Sequence, residues 1–506
     1  MQAVSTQYNP YADVIRADVI VSFELVDTEA ADTGTPASNG SRPPTQISQI
    51  LDYSAMSDIF ATCEAGEWAL DGTRKILPQA YSSLHTGYWS SQLSDENAEF
   101  SVNPVITVSF SADVSCVGFS LQFDAASLPY QVKITTTKSG TQVSQGIFNV
   151  QGAELIAELP SDGFDTATFE FIGTWMPYSY IKLAAVMFGI VQKFDKNSII
   201  SASQLISIDP AMETLPAGEF VFQFDNTDQK YNFLNPSGVY KFLQQQQKIN
   251  VNYEINGETV NGGSYLFYTS ESDYDGMTAT INGTDYAMYL DSALYSITTG
   301  GTSTFAQAVT DVKTQSGLDF ETNIPETIGN RPVAHEIPDN TSCRDALRLF
   351  AQAARCCVYF DRNGVLQVWD MTEADPVAVI DDTNATSVSG VSITERINTL
   401  QVKRDSSTEN PEEQATAQQL EPGEMVRKKT IINPAAGASP QDVANWLLSV
   451  YQSRTRYSLP TQGNPALDPG DTLNVNTIFG MSGDAFATSV STTYDGSLLQ
   501  TIEARG

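Results

Sequence analysis

The sequence predicts a mainly β chain with some α (α+β), divided into several small domains. Three observations carry that expectation. Short runs in which apolar and polar residues alternate recur along the chain, as in Glu219-Phe220-Val221-Phe222-Gln223-Phe224-Asp225, and residues two apart share one face of a strand. Turn chemistry bounds these runs, as at Asn256-Gly257. Helical spacing of apolar residues, by contrast, is confined to stretches near 304–316, 342–355 and 439–455. The chain has 506 residues, so three to five domains are expected at roughly 100–200 residues each. Its 41% hydrophobic content is that of a folded chain.

In chain order, the first strand signal is Asp18-Val19-Ile20-Val21-Ser22-Phe23-Glu24-Leu25-Val26. Residues 28–45, rich in Ala, Gly, Ser, Thr and Pro, then read as a linker. From 46 to about 189 the runs at 104–110, 116–124, 130–135, 154–159, 167–172 and 180–189 are separated by polar turns, which is the pattern of a separate β-sandwich set into the first domain. Strand signals resume through 205–208, 219–225, 248–255, 264–269 and 277–283, at the spacing of a small antiparallel barrel or sandwich.

Phe305, Ala308, Val309 and Val312 repeat at helical spacing, with Thr304 as N-cap and Gly317 as stop. A second helix is expected over Ser342–Arg355, with Cys343, Ala346, Leu347, Phe350 and Ala354 on one face. A hairpin turning at Asp361-Arg362-Asn363-Gly364 follows. Ile397–Lys403 reads as a strand, and the polar stretch 406–423 as an exposed loop. At Ser439-Pro440-Gln441-Asp442 a serine cap, a first-turn proline and an early aspartate open the last helix.

Two resemblances follow from these residues. Leu215-Pro216-Ala217-Gly218-Glu219, Phe224-Asp225-Asn226, Tyr231-Asn232-Phe233-Leu234-Asn235-Pro236-Ser237-Gly238, Gly263-Ser264-Tyr265-Leu266-Phe267 and Asp285-Tyr286 stand in an order that resembles the central hub protein of bacteriophage tail tips and baseplates. The text from Ala351 to Gly364, the Asn464-Pro465 to Asp471 strand entry and the ending Tyr494 to Gly506 resemble later parts of the same family. Within the insert, Gly87-Tyr88-Trp89-Ser90-Ser91, Val117-Gly118-Phe119 and Ile181–Gly189 resemble galactose-binding-like jelly rolls of the carbohydrate-binding-module type, a module that hubs do not usually carry.

Together the resemblances imply a hub β-barrel over 1–27 and 190–300 and an inserted jelly-roll β-sandwich over 28–189. They further imply an α+β domain over 301–390 and a second hub barrel over 391–506. They imply a homotrimer around the tail axis that continues the tail-tube ring. Its partners would be the distal tail protein or tail-tube protein, the tape-measure protein and a tail fibre or spike, in a virion tail assembled in the host cytoplasm. The chain would be a structural protein and not an enzyme. The alternatives are a carbohydrate-binding adhesin or receptor-binding tail protein, and a cell-wall hydrolase.

The formal net charge of −33 argues against nucleic-acid binding, which needs cations on phosphates, and against docking on anionic lipid. It suits a bore through which DNA passes without specific binding. No signal peptide, membrane anchor or run of ~20 apolar residues is seen. An odd count of five cysteines reads as free thiols. Histidines stand only at 85 and 335, outside any hydrolase or zinc motif. Asp225-Asn226-Thr227-Asp228 reads as an Asx-type turn rather than a calcium loop. No catalytic residue, metal or cofactor is therefore expected. The candidate site is a set of aromatics for host cell-wall carbohydrate, since their faces stack on sugar C–H groups: Trp68, Tyr88, Trp89, Trp175 and Tyr178. The competing expectation places Trp89 and Trp175 in the sandwich core.

Overall fold

In the computed structural model the alternating run at 219–225 is a strand, Glu219–Asp225, with Phe220, Phe222 and Phe224 buried and Val221 and Gln223 half-buried on the other face. The structure describes the whole chain except residues 6–7, 12–16, 54–59, 63, 65–67, 69–70, 72–73, 237, 274, 297–300, 335, 370–374, 405–413 and 477–481. It divides into two compact units, one made of Met1–Val21, Phe194–Gln229 and Ile249–Gly506, the other of Ser22–Lys193 and Lys230–Lys248. The fold is mainly β with a few helices.

The first unit is organised by a thirteen-stranded sheet. Within this unit its path runs Lys248–Ile255, Glu258–Ser272, Thr278–Thr284, Glu219–Asp225, Ile199–Ser207, Ser482–Tyr494, Leu498–Arg505, Thr455–Gln462 and Gly390–Ile393. Ile199–Ser207 pairs with Glu219–Asp225 on one side and Ser482–Tyr494 on the other, so one sheet joins the middle of the chain to its end. The hairpin between Lys248–Ile255 and Glu258–Ser272 turns on Asn256 and Gly257, at φ of 51° and 88°. Those two positive values define the turn whose twist matches the flanking strands, and an Asn-Gly pair adopts them readily.

Three longer helices, Phe305–Ser316, Cys343–Ala353 and Pro440–Gln452, pack in one core. Thr304 and Gln307 form a reciprocal capping box at the first, and Gly317, at φ 68°, ends it. Ser342 caps the second by accepting from the Asp345 N–H. The third departs from expectation. Ser439 stands at its N-cap and Pro440 at its first position, but the serine side chain makes no capping bond. A 3-10 turn, Pro434–Ala438, runs directly into the helix, and the Ser439 N–H donates back to Ala436 O within it. The turn, not the cap, sets the backbone there.

The expected loop at 406–423 is a strand in part: Gln414–Gln418 pairs with Thr399–Lys403, which also pairs in parallel with Lys428–Ile432. Residues 405–413 of that expectation lie outside the described residues. Near Asp225 the structure has the Asx-type turn, with the Thr227 N–H donating to Asp225 Oδ1 at 3.0 Å.

The second unit contains a seven-stranded sheet: Tyr88–Trp89, Lys182–Met187, Val105–Phe123, Glu154–Thr174, Pro129–Lys138 and Thr141–Asn149 in order, with Gly34–Ser38 added to Val105–Phe123. What the sequence divides into pairs of short runs are single strands of 19 and 21 residues. They pair with register shifts between Ser109 and Gly118. Bulges of this kind bend a ladder. The bend lets Phe119 pack on Phe169, the partner of Ile106 at the far end of the same strand, with ring centroids 5.8 Å apart. Gly118 is required there, because a Cβ would stand 2.4 Å from Ala157 O.

The expected linker at 28–45 is not one. Ala30–Thr33 is a helical turn and Gly34–Ser38 a strand paired with residues 106–110. Gly34 is there for space: a Cβ on it would meet Ala30 O at 2.8 Å and the Phe110 ring at 3.2 Å. Pro36 is tolerated because the strand pairs on one side.

Candidate functional site

The sequence candidates separate by burial. Tyr88 is fully buried and stacks on Phe171 at 6.3 Å, its hydroxyl donating to Gly40 O. Trp89 is 4% exposed, with its indole N–H on Thr86 O at 3.0 Å. Lys182 Nζ sits 4.7 Å from its ring centroid. Neither ring has a face for a ligand, so these two proposed sugar contacts are core residues. Trp175 corrects the competing expectation, since it is 51% exposed rather than buried. Tyr178 and Trp68 are exposed too, Trp68 on a separate segment.

Strand pairing builds the surface around Trp175. Pro129 pairs with Thr174 in an antiparallel ladder, which puts Tyr130 opposite Gly173, where no side chain stands between its ring and that of Trp175. Their ring centroids are 5.1 Å apart and nearly perpendicular. Tyr130 is 48% exposed and was not among the sequence candidates. The signal that would have found it is its place at a strand end, where alternation with Val132 no longer forces it inward. The Trp175 indole N–H donates to Val150 O at 2.8 Å, and the Val150 N–H donates to Tyr130 O at 3.2 Å. Indole has one donor. With that donor used, Trp175 offers outward its π face and C–H edge.

The loop that follows is fixed from beneath. The buried Thr174 hydroxyl donates to Met176 O and lies 2.7 Å from Ser94 Oγ. Ser94 Oγ in turn accepts from the Ser179 N–H at 3.1 Å. On this support Met176 and Tyr178 are exposed, and Tyr178 holds a φ of 56°. A bulky residue in that region is strained, and its surroundings must hold it. The segment 95–99 abuts the loop: Ala98 O accepts from the Thr174 N–H at 2.8 Å, while Asp95, Glu96 and Glu99 are exposed.

Other chemistry is sparse. His85 Nε2 lies 3.0 Å from Ala184 O, and His335 falls outside the described residues. Cys116, Cys343, Cys356 and Cys357 are buried thiols, and burial pushes the thiols of Cys116, Cys343 and Cys357 up. Cys63 lies outside the described residues. Among the described residues no group of three or more His, Cys, Asp and Glu side chains is placed to hold a metal ion, and no helix is long and apolar enough to cross a membrane.

In the first unit a cleft of about 260 Å³ is lined by Asn261, Tyr359, Asp361, Arg362, Gln367 and Asp468, among others. Arg362 Nε donates to Asp468 Oδ1 at 2.6 Å and Nη1 to Asn261 O at 3.0 Å. Asp361 accepts from the Asn363 and Val365 N–H groups and from Gln367. Asp361 thus holds the hairpin turn and Arg362 ties it to the segments at Asn261 and Asp468. The edge of the same unit's sheet is different. Gly390–Ile393 ends the path and pairs with Thr455–Gln462 on one side, with Val391 and Ile393 at 59% and 70% exposure.

No family model and no curated protein matches the sequence. Solved structures do. The chain is similar to a tail protein from Neisseria meningitidis MC58, at 13% identity and a TM-score of 0.45, over 62% of this chain and 94% of that one. It is similar to a 43 kDa tail protein of prophage MuSo2 from Shewanella oneidensis, at 17% identity and a TM-score of 0.43, over 62% and 95%. A third likeness is to an E. coli type VI secretion component that itself resembles the T4 tail proteins gp27 and gp5, at 10% identity and a TM-score of 0.38, over 61% and 74%. A chitosan-binding module from Paenibacillus sp. IK-5 aligns over 33% of this chain and 98% of its own, at 12% identity and a TM-score of 0.20. Two of these neighbours are tail proteins, one of them from a prophage.

Proposed function

We propose that the chain is a structural phage tail protein, the hub of a tail tip or baseplate, and not an enzyme. Three copies would close a ring around the tail axis. The ring would join the distal tail protein or tail tube above to a fibre or spike below, enclose the end of the tape-measure protein, and let DNA pass. The observation that carries this reading is the open sheet edge. Among the described residues, Gly390–Ile393 ends a thirteen-stranded sheet with one side of the strand unpaired and two large apolar side chains exposed. Such an edge is a template for a further strand, and a solitary protein normally blunts it. A net charge of −33 supports a bore that repels DNA.

The second unit, on this reading, is a peripheral module that binds host-surface carbohydrate. The exposed Trp175–Tyr130 pair supports that role and equally an adhesin built on the same sandwich. Mass photometry and negative-stain imaging of the purified chain separate the two. A hub gives trimers and three-fold rings with a central hole; an adhesin gives neither. A zymogram on host peptidoglycan tests the enzymatic alternative, and a cleared band would overturn the structural reading.

A further inference from the structure

The geometry points to a glycan subsite on the loop face of the sandwich, with Trp175 as the stacking platform, Tyr130 as its wall and a ligand that is neutral or amine-bearing, not anionic. The inference rests on the reading of the second unit as a carbohydrate module and says where on it the sugar sits and what charge that sugar carries.

Three features carry it. The platform is rigid before any ligand arrives: the indole is pinned by its N–H bond to Val150 O, and the backbone behind it by the Ser94–Thr174 hydroxyl pair. A face that need not be ordered on binding loses little entropy when it binds. The surface is also apolar on a tail that otherwise carries many acids, with Trp175, Met176, Tyr178 and Tyr130 each about half exposed or more. Flat C–H faces of pyranose rings match an aromatic platform whose only polar group is already used.

Charge selects among glycans. Stretches 93–103, 126–131, 149–153 and 174–180, which build and flank the face, contain no Lys or Arg; the cation packed on them, Arg42, lies over the Tyr180 ring, while Asp95, Glu96 and Glu99 are exposed on the segment hydrogen-bonded to Thr174. Carboxylates accept from sugar hydroxyls and attract ammonium groups, and they repel uronates and phosphates.

The test is calorimetric titration of the full-length chain with N-acetylglucosamine hexamer, glucosamine hexamer and polygalacturonate. We expect both hexamers to bind, the glucosamine hexamer more tightly, and polygalacturonate to bind at least tenfold more weakly than either. W175A and Y130A should each weaken the hexamers by about tenfold, W175F should keep most of the affinity, and unfolding temperatures should barely move. E96Q with E99Q should remove the advantage of glucosamine while leaving the neutral hexamer unchanged. Binding that W175A leaves intact would overturn this subsite while sparing the carbohydrate reading. Failure of every glycan to bind would overturn both. Tight polygalacturonate binding would overturn the charge assignment. Negative-stain rings from the same samples report on the hub separately.

Discussion

Lys182 Nζ stands 2.6 Å from Glu64 Oε1 inside the sandwich unit, with 3% and 2% of the two side chains exposed. The Glu64 carboxylate also accepts from the Thr62 hydroxyl at 2.6 Å and the Tyr180 N–H at 2.9 Å. The lysine sits over Trp89. Its contact with the carboxylate is an ion contact rather than an aligned hydrogen bond. Burial makes this pair matter through what its loss would leave behind. K182M strands a carboxylate in the core and should cost roughly 3–5 kcal/mol, whereas removing both charges together is often close to neutral. Differential scanning calorimetry should therefore show K182M far less stable than the K182M/E64Q double variant. Equal losses in the two would contradict this account.

Asp285 makes a pH-dependent contribution in the first unit. It caps helix Tyr286–Leu290, accepting from the Ala287 N–H at 2.8 Å, and its other oxygen accepts from the Gly218 N–H at 2.7 Å. Burial nevertheless pushes its carboxyl up to about 7, against the pull of those two bonds and of Arg344, and with a push from Glu219. The folded value lies above the unfolded one. Its stabilisation is therefore fully present below the ordinary aspartate range and is lost as pH rises through about 7. D285N keeps a capping oxygen and cannot ionise. The stability of wild type relative to D285N should fall between pH 4 and 8, by an amount on the order of a few kcal/mol. A difference that stays flat across that range in urea titrations would refute the assignment.

Gln204 bridges two buried tyrosines. Its Nε2 donates to Tyr265 Oη at 2.5 Å and its Oε1 accepts from the Tyr253 hydroxyl at 2.9 Å, with all three side chains almost fully buried. Q204L fits the space but leaves two phenols without that partner. Each unsatisfied group costs about 1–3 kcal/mol. Q204L should lower the unfolding temperature more than Y253F, which deletes a donor together with its need for a partner. The reverse order would show that the network adds nothing.

The parts of this fold that were legible in the sequence are those set by local pattern. Phe220, Phe222 and Phe224 announce a strand through period-two burial, and Thr304, Gln307 and Gly317 announce both ends of a helix, because each signal is complete within a few residues. What was not legible depends on partners distant in sequence. Gly34 has no side chain because Ala30 O and the Phe110 ring leave no room for one, and nothing near residue 34 reports that. Ser439 has the composition of a cap, but the preceding 3-10 turn decides its backbone. At the candidate site, aromatic type alone does not separate Trp89 from Trp175. The first lies under a strand pairing, Lys182 with Trp89, and the second just beyond the end of one. Tyr130 meets Trp175 only because two strands distant in sequence pair with Tyr130 opposite Gly173.

The open edge gives the last prediction. Val391 and Ile393 point from a strand that is exposed along its whole length, beside Ser392, and the strand pairs with residues 455–458 on one side. If a neighbouring copy adds a strand here, a charge at these positions must be desolvated against that neighbour. In the isolated chain the same charge stays in water. V391K with I393K should therefore leave the unfolding temperature near that of wild type, since surface changes away from special features usually cost less than about 0.5 kcal/mol. Lysine on an edge strand is a known block to further pairing. Mass photometry should show trimers giving way to monomers in the double variant, and added salt should not restore them. A variant that assembles as well as wild type would place the subunit interface elsewhere. A variant that unfolds would show that these side chains serve this chain's own core.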